Sequence, residues 1–515
     1  MNKRIYIICA LALITIGISS CYKDKSTEAA MSVPDIEVTG VDSVMETTYG
    51  DEIAIKPEVS QEGRTEDDFE YLWEIDLNPG KEKERIELGT DPELSYKVSN
   101  TPSDTPYTLS LKVTDKQTGL ARIVISKIYV SNSLGEGLLV AYTRDRGQTS
   151  ELDLVSSNVL TYGYTASGPK YTREIYSLAN GAPVKGRINA MSEIVDSDNE
   201  ALNENKTIIG TDNHIIALDP LTFKEKASDG ELFNNSKEAV FNTTAVFNFA
   251  AYVTGAIING NMYAIVCIID KTYSKLTFTQ VPEDIFTPCD IAYAKLDQGK
   301  LVVFNKNDGK FYYIPGWQAM SGAFSEVANS FDFNLKGATS IMGGCSKNSC
   351  PAFLIKDASG AYHICIMDLS GNSPVLTHYT LDGEGLGDLV SVAFCDNADL
   401  MYYATPTKIY SVILSGGKAT TQTLSWTPDS SDEKITGIMQ YCQGWYGTHQ
   451  YGLSDYDFPL KYNRLQLMIT TYNEKTGEGK IYLRPFNVST GLFTYKDNGT
   501  LSGFGEITAI TSTLK

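Results

Sequence analysis

Short strand-like runs recur along residues 134–515 with a spacing near 50 residues. Ile291-Ala292-Tyr293-Ala294 and Val392-Ala393-Phe394-Cys395 are each followed, about ten residues later, by a second apolar run, Leu301–Phe304 and Leu400–Tyr403. Each then turns back through a third, Lys310–Ile314 and Lys408–Val412. Ile341 and Ile438 mark two further first strands, so anchors 291, 341, 392 and 438 stand 50, 51 and 46 residues apart. A repeat of that length, built from short strands with no 3.6-residue periodicity inside it, points to a β-propeller.

The same spacing places earlier first strands near Ile188 and Val246 and a last one at Ile507, in EITAITSTLK. That last strand has no chain left for a hairpin. Conversely, Leu138–Tyr142 and Glu151–Leu154 form a hairpin with no first strand before it. The two ends are therefore expected to join, which removes free sheet edges. Seven blades is the count that fits best, with six and eight as alternatives.

One interval, from 438 to 507, is 69 residues. The excess of roughly 21 residues over the repeat falls on GWYGTHQYGLSDYDFPLKYN, residues 444–463. This segment carries Trp445, Tyr446, His449, Tyr451, Tyr456, Phe458 and Tyr462. Long loops in compact domains are commonly functional. Aromatic faces stack on sugars and pack on peptide side chains, while phenol and indole tips donate hydrogen bonds. These seven residues are the expected ligand or partner contacts. The alternative is a loop folded back on its own domain.

Residues 35–131 read differently. Ile53–Ile55, Phe69–Ile75, Tyr107–Val113 and Ile123–Ile125 alternate apolar and polar positions, with turns such as Asn78-Pro79-Gly80 between them. Several short strands in about 100 residues suggest an immunoglobulin-like sandwich with Trp73 in its core. The expected fold is thus all-β, a sandwich over 35–131 and a propeller over 134–515.

The N-terminus carries an address. Lys3 and Arg4 precede an apolar run, Ile5 to Ile18. The run is too short for a membrane span and matches a signal-peptide core. Ile18-Ser19-Ser20-Cys21 resembles a bacterial lipobox, which implies cleavage after residue 20 and lipidation of Cys21. Each buried lipid methylene contributes about 0.8 kcal/mol to anchoring. Tyr22-Lys23-Asp24-Lys25 resembles the Lys-acidic signal that sends some Gram-negative lipoproteins to the outer face of the outer membrane. Residues 21–34 would be the lipidated tether.

The formal net charge is −20, which disfavours nucleic acid and anionic lipid, so the membrane link is expected through the N-terminal lipid alone. Nine cysteines include Cys345 and Cys350 in CSKNSC, close enough for a local disulfide in an oxidising compartment. No G-x-S-x-G or H-E-x-x-H occurs. DSDNEALNENK at 196–206 lacks the glycine and closing Glu of a calcium loop. No catalytic residue, metal or cofactor is expected, and the chain reads as a non-enzyme.

YTLSLKVTDKQTGLARIVISKIYVS resembles the end of a PKD domain, where a Val-Thr-Asp triplet and a glycine turn join the last two strands. Tyr71–Ile75 resembles that family's central Trp strand, without the acidic-glycine signature that usually follows. With the lipobox, this architecture resembles the PKD-like lipoproteins associated with Sus-type nutrient uptake. The resemblance implies a TonB-dependent transporter and its SusD-like lipoprotein lid as partners, and an oligosaccharide or peptide as ligand. Two other functions suit the same chain, a propeller-based surface hydrolase or lyase and a structural spacer.

Overall fold

A computed structural model describes residues 33–513 except 81–83, 101–102, 132–136, 162–163, 195–205, 220–221, 234–238, 251–252, 267–278, 281–290, 296–299, 316–324, 329–334, 372, 425 and 443–459. The chain divides into two compact units, Met1–Ser131 and Asn132–Lys515.

In the first unit, one five-stranded sheet runs in the order Val44–Thr48, Ala121–Ser131, Ser103–Asp115, Phe69–Asp76, Arg85–Gly89. Two short strand pairs, Glu37–Thr39 with Glu58–Ser60 and Glu52–Ile55 with Leu94–Lys97, contribute to the same core. The alternation in Phe69–Asp76 sends Phe69, Tyr71, Trp73 and Ile75 inward. Trp73 is fully buried and its indole Nε1 donates to the Asp91 carbonyl at 3.0 Å. The Val-Thr-Asp triplet ends on Asp115, whose carboxylate accepts from Gln117 N (2.8 Å), Thr118 Oγ1 (2.8 Å) and Arg64 Nε (3.0 Å). Burial alone would raise its pKa, but these hydrogen bonds outweigh it and hold the carboxyl below its ordinary value. Ile123 and Ile125 lie on the outward face at 57% and 51% exposure, so that apolar run does not fill the core.

The second unit contains seven sheets of four or more strands among the described residues. Their first strands are Ile188–Ile194, Thr243–Ala250, Ile291–Lys295, Thr339–Ser346, Ser391–Phe394, Glu433–Gln440 and Glu506–Thr513. Positions 188, 246, 291, 341, 392, 438 and 507 all fall in these strands. Successive first strands lie against one another from Ile188–Ile194 through to Glu433–Gln440, and Glu506–Thr513 also lies against Ile188–Ile194. The arrangement is propeller-like, with Ile175–Asn180 the single α-helix among the described residues.

The C-terminal strand Glu506–Thr513 pairs antiparallel with Gly137–Thr143, which pairs on its other side with Thr149–Ser156. Buried Asp153 stabilises this sheet. It accepts from Arg173 Nη1 (2.6 Å), Glu174 N (2.8 Å) and Tyr142 OH (3.1 Å). Arg173 also donates to the Ser502 carbonyl at 2.7 Å and stacks over Tyr171 and Phe504. A second carboxylate in the same sheet, Glu151, accepts from Ser177 Oγ and Ser177 N at the start of the helix. Burial pushes its pKa up to about 7, against the opposing effect of those hydrogen bonds.

Trp73→Ala should cost about 3–5 kcal/mol of first-unit stability, from the lost aromatic volume and the emptied site, measured by denaturant unfolding followed by circular dichroism. For Glu151, the raised pKa means that the folded state holds the proton more tightly than the unfolded chain. Stability should therefore fall as pH rises from about 4.5 through about 7. Glu151→Gln should flatten that part of the Tm–pH profile; an unchanged slope would remove Glu151 as its source.

Candidate functional site

Four first strands bound a cavity of about 490 Å³: Thr339–Ser346, Ser391–Phe394, Glu433–Gln440 and Glu506–Thr513. Small residues hold these strands close. A Cβ on Gly344 would come within 2.7 Å of the Phe394 ring, and one on Gly437 within 2.8 Å of Thr470 Oγ1. Glycine at 344 therefore permits the packing of neighbouring sheets, and glycine at 437 makes room for Thr470 on the adjacent strand of its own sheet. The walls mix apolar side chains, among them Met342, Val392 and Met439, with the hydroxyls of Ser391, Thr436 and Thr508. Ser391 Oγ is held between the backbone N and O of Ile438, at 3.0 and 3.4 Å, and so ties two sheets together. Thr436 and Thr470 share a hydroxyl–hydroxyl hydrogen bond of 3.0 Å.

At one end of the cavity the polar groups interlock. Gln440 Oε1 accepts from Asp396 N at 3.0 Å. Gln440 Nε2 donates to Asn397 Oδ1 (3.0 Å) and to the Arg464 carbonyl (2.9 Å). Arg464 Nε lies 3.3 Å from Asp396 Oδ2, and its backbone N donates to the Tyr441 carbonyl at 2.9 Å. Cys442 follows, 3.9 Å from Asp396 Oδ2, and Ser512 Oγ donates to its carbonyl at 3.1 Å. Burial pushes the Cys442 thiol pKa up, reinforced by Asp396, so it is protonated at neutral pH and a poor nucleophile. A cavity of this size with a few fixed hydroxyls suits a small amphipathic ligand.

This network fixes both roots of the aromatic segment: Gln440–Cys442 lead into it and Arg464 leaves it. Trp445, Tyr446, His449, Tyr451, Tyr456 and Phe458 lie outside the described residues, as does Cys21. Tyr462 is described and half-buried, with Lys496 Nζ 5.2 Å and Lys461 Nζ 5.7 Å from its ring centroid.

The expected Cys345–Cys350 disulfide is not formed; both are thiols in the structure. Ser346 pairs with Cys350 and Cys345 with Pro351 across the hairpin. Directly paired residues share a face and successive residues alternate, so the two cysteines project to opposite faces of the sheet. Cys345 lines the cavity, whereas Cys350 is buried.

Sequence reading missed the cavity walls because Gly344, Gly437 and Ala509 carry no chemical signal of their own. It also missed a histidine pair, His363 and His378, brought together by strand register.

A model of the PKD-like family matches residues 21–187, which covers the first unit and continues into the second as far as the turn before Ile188. No curated protein matches the chain. Among solved structures, a quinoprotein alcohol dehydrogenase-like protein from Bacteroides thetaiotaomicron is similar at 13% identity and a TM-score of 0.48, over 93% of this chain and 99% of that one. A Lactobacillus plantarum protein is similar at 12% identity and a TM-score of 0.47, over 74% of this chain and 99% of that one. A putative 6-phosphogluconolactonase from Bacteroides uniformis is similar at 9% identity and a TM-score of 0.35, over 86% of this chain and 99% of that one. Two of the three carry enzyme names, which corrects the expectation of a non-enzyme. Those activities belong to the named proteins. The family finding is that a PKD-like family model matches the N-terminal third of the chain.

Proposed function

We propose that this chain is a lipid-anchored protein of the outer membrane surface that binds an oligosaccharide or peptide nutrient and docks on a TonB-dependent Sus-type transporter with its SusD-like lid. Lipidation at Cys21 would place it there, and the PKD-like match begins at that same residue. The seven sheets would act as the blades of a closed propeller, sealed by the strand Glu506–Thr513. The central cavity would be the ligand site, with Ser391, Thr436 and Thr508 as hydroxyl partners for a sugar or a peptide backbone.

The observation that carries this reading is the 490 Å³ cavity at whose rim the aromatic-rich segment is rooted. Aromatic faces beside fixed hydroxyls are the combination that recognises the alternating apolar and polar faces of a sugar ring. Trp445, Tyr446 and Tyr456 are the favoured aromatic contacts on composition.

Ala509 lines the cavity, and Ala509→Trp should fill part of it. With the full lipidated chain in detergent, calorimetric titration against glycan and peptide panels should show a ligand for the parent protein. The variant should lose roughly tenfold or more in affinity, about 1.4 kcal/mol. The transporter should still co-purify with both. Unchanged ligand affinity in a folded Ala509→Trp protein would remove the cavity as the site. Absence of a transporter from gentle purifications that retain other outer-membrane complexes would remove the docking role.

A further inference from the structure

One group of titratable side chains lies away from the cavity, in the sheet that begins with Thr339–Ser346. Its third and fourth strands, Tyr362–Asp368 and Val375–Leu381, pair with His363 opposite Thr380 and Cys365 opposite His378. His363 and His378 are therefore diagonal neighbours on one face. Their imidazoles meet: His363 Nδ1 lies 3.0 Å from His378 Nε2, with ring centroids 5.2 Å apart.

The tautomer of His363 follows from its other contact. His363 Nε2 is 2.9 Å from Asp357 Oδ2. Asp357 Oδ1 is already occupied by Ser359 N, Ser359 Oγ and Ala361 N, at 2.7–2.9 Å. With all of these donors aimed at it, Asp357 acts as the acceptor. His363 Nε2 therefore donates to Asp357 Oδ2, and its Nδ1 faces His378. His363 is 5% exposed, while His378 is half-buried on the outer strand and borders solvent.

We propose that His363 Nδ1 and His378 Nε2 form a binding site for a borderline divalent transition metal such as Zn²⁺ or Cu²⁺, with Asp357 as the outer carboxylate that orients His363. Metal–imidazole bonds of about 2.0–2.1 Å in tetrahedral geometry put two ligating nitrogens roughly 3.3 Å apart. The observed 3.0 Å needs only a small outward shift. A ligating histidine whose other ring N–H donates to a carboxylate is the usual support of such a site. Each imidazole ligates as the neutral ring. On binding, His378 exchanges its Nε2 proton for one on Nδ1 through solvent, and no redox change is involved. Among the described residues no three His, Cys, Asp or Glu side chains are arranged to hold a metal. Among the described residues these two histidines are the ligands, and water completes the coordination.

The test is competition titration of the full chain in detergent with Zn²⁺ and a chromophoric chelator, with electron paramagnetic resonance of the Cu²⁺ form. One equivalent should bind with two-imidazole hyperfine structure. His378→Ala, at a half-buried edge position, should abolish that equivalent. Asp357→Asn should weaken it by about 10–100-fold. Thermal unfolding of the metal-free variants checks that each is folded. Retention of the equivalent in folded His378→Ala, or a Cu²⁺ spectrum without two imidazole nitrogens, would overturn the assignment.

Discussion

The strand Glu506–Thr513 pairs with Gly137–Thr143 in a register that sets Leu139 opposite Thr511, and Gly137 N also donates to Thr513 Oγ1 across 376 residues of sequence. Long-range closure has an entropic cost that grows only slowly with loop length. The gain is a hydrogen-bonded partner for each strand, which makes Gly137–Thr143 an interior strand of its sheet. Side chains reinforce the pairing on its flanks. Arg144 donates to the Gly503 carbonyl, Arg173 to that of Ser502, and Arg187 pairs with Glu506. The segment leading into the last strand is thus held by three cations, one of them fixed by buried Asp153.

The cavity depends on this pairing. Ile507–Ile510 form one of its four walls, and Ser512 holds the carbonyl of Cys442 at the rim. Release of the C-terminal strand would open the cavity along one side and loosen one anchor of the aromatic segment. Stability of the second unit and presence of the cavity are therefore linked through one strand pair.

Much of this architecture was legible because each first strand carries an apolar anchor that must face its neighbours. Ile341, Val392 and Ile438 repeat for that reason, and the unpaired hairpin at 138–154 implied a partner elsewhere. The outermost strands were less legible. Lys418–Thr423 is polar and largely exposed, so its sequence resembles a loop and only pairing to Ile409–Ser415 defines it. Spacing alone misled at Cys345 and Cys350, where strand parity overrides nearness in sequence. The run Ile123–Ile125 marks a strand, yet the apolar residues that strand turns inward are Ile128 and Val130. The histidine pair was invisible for a related reason: positions 363 and 378 meet only once the hairpin register is known. The aromatic segment was read from composition, and the structure contributes its two roots.

Hydrogen–deuterium exchange of the full chain, resolved to residues 137–143 and 506–513, tests the closing pair most directly. Backbone amides in both strands should exchange only with global unfolding of the second unit, at rates matching the interior strand Gln466–Asn473. Fast exchange across 506–513, with protection retained in Gln466–Asn473, would show a frayed terminus and contradict the strand pairing on which the cavity rests.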